Sequence, residues 1–291
     1  MSADFLQGMA AASRMRCDAA RAVVSEAALL ATARAAPLPP ALKLTGRFDL
    51  IAEMKLRSPA VGQLKAAADN DIGQRVTAYA EGGAAAVSVL TEPSRFDGHL
   101  EHLRQAAAAL RPLGVPAMRK DFLVDPYQVL EARVHGAGGV LIIIGMLSRT
   151  QLDELCAAAR EQGLFALLEA FDEADIAVSH ELVAGWRTAA LTASGLNGAP
   201  PPVLVGINSR DLRTLKVVPG RLEPLAHLLP EDFPRVAESG VGSAADAAGM
   251  AAAGYDLALV GSALMTGADP RLLARDMIDA ARIAKTSARR A

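Results

Sequence analysis

Cysteine, aromatic residues and net charge are all scarce in this chain of 291 residues. The two cysteines, Cys17 and Cys156, are far apart and lie in helical patterns. This argues against a disulfide framework and against a metal site built on paired cysteines. We expect both to be packing residues of a cytoplasmic protein, where thiols stay reduced. Because aromatic residues make up only 4% of the chain, the core must consist of aliphatic side chains and alanine.

The lack of net charge and of long apolar runs limits the partners. A formal charge of −2 provides no overall positive field, so we expect no nucleic acid to bind, whereas a small anion needs only local positive charge. No apolar run approaches the roughly 20 residues of a membrane helix, so we expect no membrane partner. Asp4 and the absence of an apolar segment near the N-terminus argue against a secretory signal.

The chain does contain a regular alternation of short apolar runs and helical segments. The runs begin at residues 50, 85, 115, 139, 164, 203, 234 and 257. They lack polar alternation, which is typical of strands buried on both faces in a parallel sheet covered by helices. Eight such α/β units that close on themselves form a (β/α)8 TIM barrel, whereas fewer strands with a reversal of order form a doubly wound sheet. The count favours the barrel.

Two segments stand outside this alternation. Residues 2–35 predict one or two helices, which the prolines between residues 37 and 40 end sharply. We therefore assign residues 1–48 to an N-terminal helical extension and residues 49–291 to the barrel, the catalytic domain. The Gly- and Pro-rich residues 185–202 predict an insertion loop at the bottom of the barrel, the face that usually serves stability in these folds.

Charged and amide side chains stand where the predicted strands end, which is where TIM barrels hold their active sites. They are Glu53, Lys55, Lys120, Glu169, Asn208, Arg210 and Glu238. Any one of them is most simply explained as a solvated strand end. Three carboxylates and two lysines at one mouth, however, shift one another's pKa values and so provide proton donors and acceptors near neutral pH.

Small residues follow the last two predicted strands. They are Ser239, Gly240, Gly261 and Ser262. Such residues before a helical turn expose backbone N–H groups, and barrels often bind phosphate after strands seven and eight. The five histidines all fall in helical patterns without a metal-ligand pair, so we expect no metal site.

Taken together, these motifs resemble those of the indole-3-glycerol-phosphate synthase family of tryptophan biosynthesis. The matching motifs, in family order between about residues 40 and 265, are 51–59, 88–91, 119–128, 168–169, 206–212, 237–241 and 260–262. The resemblance implies a TIM barrel carboxy-lyase that closes the ring of 1-(2-carboxyphenylamino)-1-deoxyribulose 5-phosphate with loss of carbon dioxide and water. It therefore implies a small phosphorylated substrate and neither a metal nor an organic cofactor.

The resemblance also implies roles for the strand-end residues. Lys120 occupies the general-acid position, and Lys55 the position that meets the substrate carboxylate. Glu53 and Glu169 match the residues that serve the dehydration, and which glutamate acts in which step is left open. The other implied contacts are those of Asn208, Arg210, Glu238, Ser58 and Ser239 with the substrate and of Gly240, Gly261 and Ser262 with the phosphate. Asn208 and Arg210 also support the catalytic glutamates.

The resemblance further implies that the extension covers the barrel mouth. It leaves open a monomer, a weak homodimer and contact with other tryptophan-pathway enzymes. The chain departs from the family pattern at Leu56, where a basic residue is usual, at Ser209, and in residues 60–61 and 170–171.

Three rival functions are weighed against this one. They are another phosphosugar barrel such as an isomerase, a Schiff-base aldolase with Lys120 as nucleophile, and a catalytically silent phosphosugar-binding protein. The strand-end motifs argue against the isomerase, because its acid and base would stand at different strand ends. Borohydride trapping would support the aldolase, and a lack of turnover would favour the silent protein.

Overall fold

Eight parallel strands form a closed barrel in this computed structural model, which describes residues 3–58, 62–63, 71–192, 201–210 and 216–288. The barrel strands are β1 Asp49–Met54, β2 Ala86–Leu90, β3 Ala117–Lys120, β4 Gly139–Ile143, β5 Phe165–Ala170, β6 Val203–Asn208, β7 Arg235–Glu238 and β8 Leu257–Val260. Each strand pairs with its neighbours in chain order, and β8 closes the barrel by pairing with β1. The predicted (β/α)8 barrel is confirmed, and each predicted strand begins within two residues of its observed start.

Helices precede the barrel and cover it. The extension contains α1 Ala3–Val23 and α2 Glu26–Ala35. The helices that follow β1 are α3 Ile72–Glu81, α4 Pro93–Phe96, α5 Leu100–Leu110, α6 Pro126–Val134, α7 Arg149–Glu161, α8 Glu173–Thr192, α9 Leu222–Leu225, α10 Ala244–Ala252, α11 Ser262–Thr266 and α12 Pro270–Ala288. None of the helices in the described part of the chain is both long and apolar enough to span a membrane.

The start of α6 shows how sequence sets a helix boundary next to the site. Asp125 precedes the helix in an extended conformation, and its side chain accepts a hydrogen bond from Tyr127 N. Pro126 occupies the first turn, where a missing N–H group has no cost. The chain therefore turns sharply from β3 into α6, and the intervening loop stays short.

Helix α8 differs from the prediction. We expected residues 185–202 to form a loop, but α8 continues to Thr192. Trp186 explains this extension, because its side chain is buried in the outer core and its Nε1 donates to the Pro201 carbonyl at 3.1 Å. Burying an indole ring offsets the weak helix propensity of a glycine nearby. Residues 193–200 of the predicted loop lie outside the described part of the chain.

The core has two layers. The outer layer packs the barrel strands against the helices, as with Val87 and Val89 of β2 against Leu103 of α5. The inner layer fills the barrel itself and includes Ile51, Met118, Leu167, Val236 and others. Strands buried on both faces explain the near-continuous apolar runs in the sequence. They also mean that any charged side chain pointing into the barrel is removed from water.

Candidate active site

The odd-numbered strands carry one ring of charged residues above the apolar filling of the barrel. The inner-layer residues of these strands are Ile51, Met118, Leu167 and Val236. Two positions further along, on the same face of each strand, stand Glu53, Lys120, Glu169 and Glu238. The last apolar layer of the barrel therefore forms the floor of a site whose next layer is ionic. This is the convergence that the strand-end pattern predicted.

Lys120 lies between two carboxylates. Its Nζ donates to Glu169 Oε2 and to Glu238 Oε2, each at 3.1 Å, and both glutamates are almost fully buried. Burial by itself disfavours the ammonium, but the neighbouring groups, with Glu169 first, outweigh burial and raise the pKa of Lys120 above its usual value. Lys120 is therefore an ammonium ion at neutral pH.

Glu53 and Lys55 form a second ion pair beside the first. Lys55 Nζ donates to Glu53 Oε1 at 2.6 Å. Burial alone raises the pKa of Glu53, but Lys55 and Lys120 reverse this effect and hold that pKa below its usual range. Glu53 is thus a carboxylate at neutral pH, and Lys55 lies at the cavity wall with its ammonium group beside it.

Gly261 makes room for this second pair. A Cβ atom on Gly261 would overlap Glu53 Oε1 and would lie 2.8 Å from Lys55 Nζ. The sequence predicted a phosphate contact for this residue. The structure places it against the Glu53–Lys55 pair as well as at the cavity wall, so a side chain at this position would displace that pair.

The loop after β7 has an unusual backbone. Ser239 has φ of +66° and Gly240 has φ of +80°, and the first of these is rare for a residue with a side chain. The Ser239 carbonyl accepts a hydrogen bond from Ser209 Oγ at 3.1 Å, which ties this loop to the end of β6. Strained backbone of this kind is concentrated at functional sites. Ser209, one of the departures from the family pattern, thus has a structural role.

Asn208 and Arg210 also face the cavity, at the end of β6. Asn208 Oδ1 accepts a hydrogen bond from the Arg210 backbone N at 2.9 Å, so the amide fixes the turn that leaves the strand. Ser58 belongs to a short hairpin after β1, Arg57–Ser58 paired with Gly62–Gln63. The Ser58 side chain and residues 59–61 lie outside the described part of the chain.

A cavity of about 340 Å³ brings these residues together. Of the residues predicted for the site, those that line it are Glu53, Lys55, Lys120, Glu169, Asn208, Arg210, Glu238, Ser239, Gly240, Gly261 and Ser262. An apolar wall of the cavity includes Phe5, Phe96 and Phe122, three of the seven phenylalanines in the chain. The Phe5 and Phe122 rings meet edge to face with centroids 6.1 Å apart. Strand-end reasoning missed this wall, since apolar residues near strand ends carry no distinctive signal.

The sequence also gave no indication of how helix α1 is held. Arg16 donates to Asp121 Oδ1 at 2.8 Å, and Arg14 donates to Asp125 Oδ2 at 2.6 Å. Both acceptors lie in the segment directly after Lys120. These contacts join residues more than 100 positions apart, so no local pattern predicts them. They hold α1 against the segment that follows the proposed acid.

Comparison with known proteins adds a decisive observation to this geometry. A family model for indole-3-glycerol phosphate synthase matches residues 7–186 and 197–277. The chain belongs to the indole-3-glycerol phosphate synthase family. The matched segments omit residues 187–196, which lie within the predicted insertion at 185–202.

Individual family members match over most of their length. The indole-3-glycerol phosphate synthase of Parafrankia sp. (strain EAN1pec) is 41% identical over 234 residues, 80% of this chain and 79% of that protein. The enzyme of the same name from Mycolicibacterium gilvum (strain PYR-GCK) is 38% identical over 283 residues, 96% of this chain and 95% of that protein. The family therefore accounts for both the barrel and the helices before it.

More distant structures share the fold alone. The 3-hexulose-6-phosphate synthase of Salmonella typhimurium is 15% identical with a TM-score of 0.57, and the match covers 81% of this chain and all of that one. Thiamine phosphate pyrophosphorylase from Pyrococcus furiosus is 16% identical with a TM-score of 0.55, over 82% of this chain and 98% of that one. In this chain, the common barrel carries the charged ring described above.

Proposed function

We propose that this chain is a carboxy-lyase that converts 1-(2-carboxyphenylamino)-1-deoxyribulose 5-phosphate into indole-3-glycerol phosphate, carbon dioxide and water. Family membership supports the reaction. The observation that carries the chemistry is the position of Lys120, a buried ammonium at the cavity floor between two glutamates. The reaction forms a carbon–carbon bond to a ketone, so it needs a proton donor at the oxygen that becomes negative.

The first step is assigned to Lys120. As the aromatic ring carbon attacks the ketone, the Lys120 ammonium donates a proton to the developing alkoxide. Glu169 accepts a hydrogen bond from the same Nζ and so orients the ammonium group. The substrate then loses its carboxylate as carbon dioxide, which restores the aromatic ring. An apolar wall containing Phe96 and Phe122 suits the flat ring and keeps water away from it.

The second half of the reaction is assigned to the Glu53–Lys55 pair together with Glu169. Lys55 attracts the substrate carboxylate before decarboxylation and afterwards donates a proton to the leaving hydroxyl group. A carboxylate must then remove a proton from carbon, and Glu53, kept ionised by Lys55, suits this role. Asn208 and Arg210, at the end of β6, orient the hydroxyl groups of the sugar chain.

The phosphate is assigned to the loops after β7 and β8. Ser239, Gly240, Gly261 and Ser262 line the cavity after β7 and β8, whereas Phe96 and Phe122 follow β2 and β3. This arrangement supports a substrate that spans the cavity, with its ring on the apolar side and its phosphate on the side of small residues. Ser58 completes the proposed substrate contacts, and Glu238 joins the site through its hydrogen bond from Lys120.

Replacing Ser262 with glutamate is expected to raise KM at least about tenfold with little change in kcat. A carboxylate at this position faces the phosphate, and a repulsion of about 1.4 kcal/mol is enough for a tenfold loss of affinity. Steady-state kinetics with Ser262→Gln as the control separates charge from size. An unchanged KM in the glutamate variant would contradict the phosphate assignment.

The N-terminal extension, residues 1–48, is assigned a covering role at the mouth. Phe5 of α1 lines the cavity, which supports this role. We expect the enzyme to be a monomer or a weak homodimer. We place the enzyme in the cytoplasm, in line with its two buried free cysteines.

The direct test is turnover of the purified protein with the carboxyphenylamino substrate, followed by the fluorescence of the indole product. The expected result is indole-3-glycerol phosphate formation that saturates with substrate. Failure to form any indole would favour a binding protein. Covalent trapping of a substrate carbonyl on Lys120 by borohydride would instead support a Schiff-base aldolase and overturn the acid assignment.

A further inference from the structure

The proton balance of the site is uneven around Lys120. Two almost fully buried carboxyl groups, Glu169 and Glu238, share this single ammonium. In the described part of the chain, Lys120 is the cation within hydrogen-bonding distance of Glu238. Two ionised carboxylates on one ammonium would leave a net negative charge in a nearly dry place, which is costly.

The second oxygen of Glu238 supports a neutral group. Glu238 Oε2 contacts Lys120, whereas Oε1 is buried and receives no hydrogen bond from the described residues. This oxygen lies against Gly206 of β6, where a Cβ atom would overlap it. A negatively charged oxygen against bare backbone is unfavourable, and a protonated carboxyl group removes most of that cost.

The surrounding charges identify Glu238 as the protonated member. Glu53 has its own ammonium partner, Lys55, and its pKa is lowered. Burial raises the pKa of Glu238 well above its usual value, and the charge of neighbouring Glu169 adds to this effect against the opposing attraction of Lys120. Arg210 also faces the cavity and acts on Glu53.

We propose that Glu238 is the proton store of the site, a neutral carboxyl group lodged between Lys120 and Gly206 that returns a proton to Lys120 in each turnover. This inference rests on the proposed function, in which Lys120 is the general acid. The reaction converts a substrate carboxylate into neutral carbon dioxide and therefore consumes one proton per turnover. In the first step the ammonium loses a proton to the alkoxide and becomes an amine. Glu238 then transfers its proton to that amine, and the resulting carboxylate is reprotonated from solvent before the next turnover.

Glu238 therefore acts through Lys120, and its effect should appear in kcat. Glu238→Gln keeps the size and neutrality of the side chain but has no proton to transfer. The expected result is a kcat lowered about a hundredfold, the scale of a lost proton transfer, with KM close to that of the unchanged protein. In the unchanged protein kcat falls as pH rises through the pKa of Glu238, because the neutral fraction declines, and this limb is lost in Glu238→Gln.

A rescue experiment separates proton transfer from structure. Glu238→Ala opens a space beside Lys120 that a small acid can enter, so added acetic acid should restore kcat. The restored kcat should follow the concentration of neutral acetic acid and not that of acetate. At a fixed total concentration of acetic acid and acetate, the restored kcat should therefore be larger at lower pH. A rescue that follows acetate, or no rescue at all, would overturn the proposal, as would a kcat of Glu238→Gln equal to that of the unchanged protein. A raised KM with unchanged kcat would assign Glu238 to substrate binding.

The general-acid role of Lys120 and the proton store at Glu238 can be refuted separately. If Lys120→Met turns over normally, the acid assignment fails and the proton store fails with it. If Lys120→Met is inactive but Glu238→Gln is fully active, only the proton store fails. Should Glu238→Gln not fold, Gly206→Ala is the second variant. Its added methyl group displaces Glu238 Oε1, so it should lower kcat while leaving the acid in the chain, and an unchanged kcat would contradict the proposal.

Discussion

Replacement of Lys120 with methionine is expected to lower kcat at least about a hundredfold, the usual scale for loss of a general acid. Methionine fills a similar volume but has no proton to donate, so the alkoxide formed during ring closure would remain unprotonated. Steady-state kinetics by indole fluorescence measures the effect. Glu169 and Glu238 lose their shared cation in this variant. Because Glu238 is neutral in our proposal, a single buried negative charge is left, and we expect the fold to persist.

Two further variants control this experiment. Lys120→Arg keeps a positive charge between the glutamates but holds its proton too tightly to donate it, so it should also be slow. Lys43→Met makes the same chemical change at an exposed position and should leave kcat unaltered. Near-normal turnover of Lys120→Met, with circular dichroism matching that of the unchanged protein, would refute the acid role.

The largest expected effect on stability is at the preceding residue, Arg119, whose side chain points away from the cavity. Its guanidinium is 3% exposed and donates to the Gln128 carbonyl at 2.8 Å and to Glu131 Oε2 and Asp121 Oδ2, each at 3.1 Å. A fourth bond runs to Thr91 Oγ1 at 3.2 Å. One buried side chain thus joins β3 to the loop after β2 and to α6.

Arg119→Met is therefore expected to lower the free energy of unfolding by about 3–5 kcal/mol, the cost of removing one partner from a buried ion pair. The loss arises because the Gln128 carbonyl loses a buried donor and Asp121 loses one of its two arginine partners, Arg16 being the other. Urea unfolding followed by circular dichroism measures it. Arg104→Met, which removes an exposed arginine paired only on the helix surface, is the matched control and should behave like the unchanged protein. A free energy of unfolding equal to that of the control would show that the Arg119 network does not stabilise the packing of β3 against α6.

The Arg119 network also affects the site. Asp121 accepts hydrogen bonds from Arg119 of β3 and from Arg16 of α1. Since Lys120 stands between these two residues in sequence, the network fixes the backbone from which the proposed acid projects. We expect the Arg119 variant, where it remains folded, to lose some activity through misplaced Lys120. The N-terminal helix thus supports the segment from which the proposed acid projects.

The elements that the sequence predicts best are those whose physical signal is local. Strands β1 and β6, for example, are apolar runs without alternation, which is the direct result of burial on both faces. Glu53 and Glu238 could be placed at the mouth because the strand period of two and the barrel topology together decide where a strand end points. The prediction for residues 185–192 was wrong, because Gly and Pro nearby suggested a loop while burial of Trp186 extends helix α8.

The sequence by itself determined the barrel, the order of its strands, the ring of charged strand ends and the family. These follow from hydrophobic periodicity and from motifs that keep their order along the chain. Only the tertiary structure decided which glutamates share Lys120, that Lys55 belongs to Glu53, that Gly206 and Gly261 leave room for carboxylates, and that α1 is tied beside the acid. Each of these depends on distances between residues remote in sequence. Barrel closure and close packing set those distances, and no local pattern carries them.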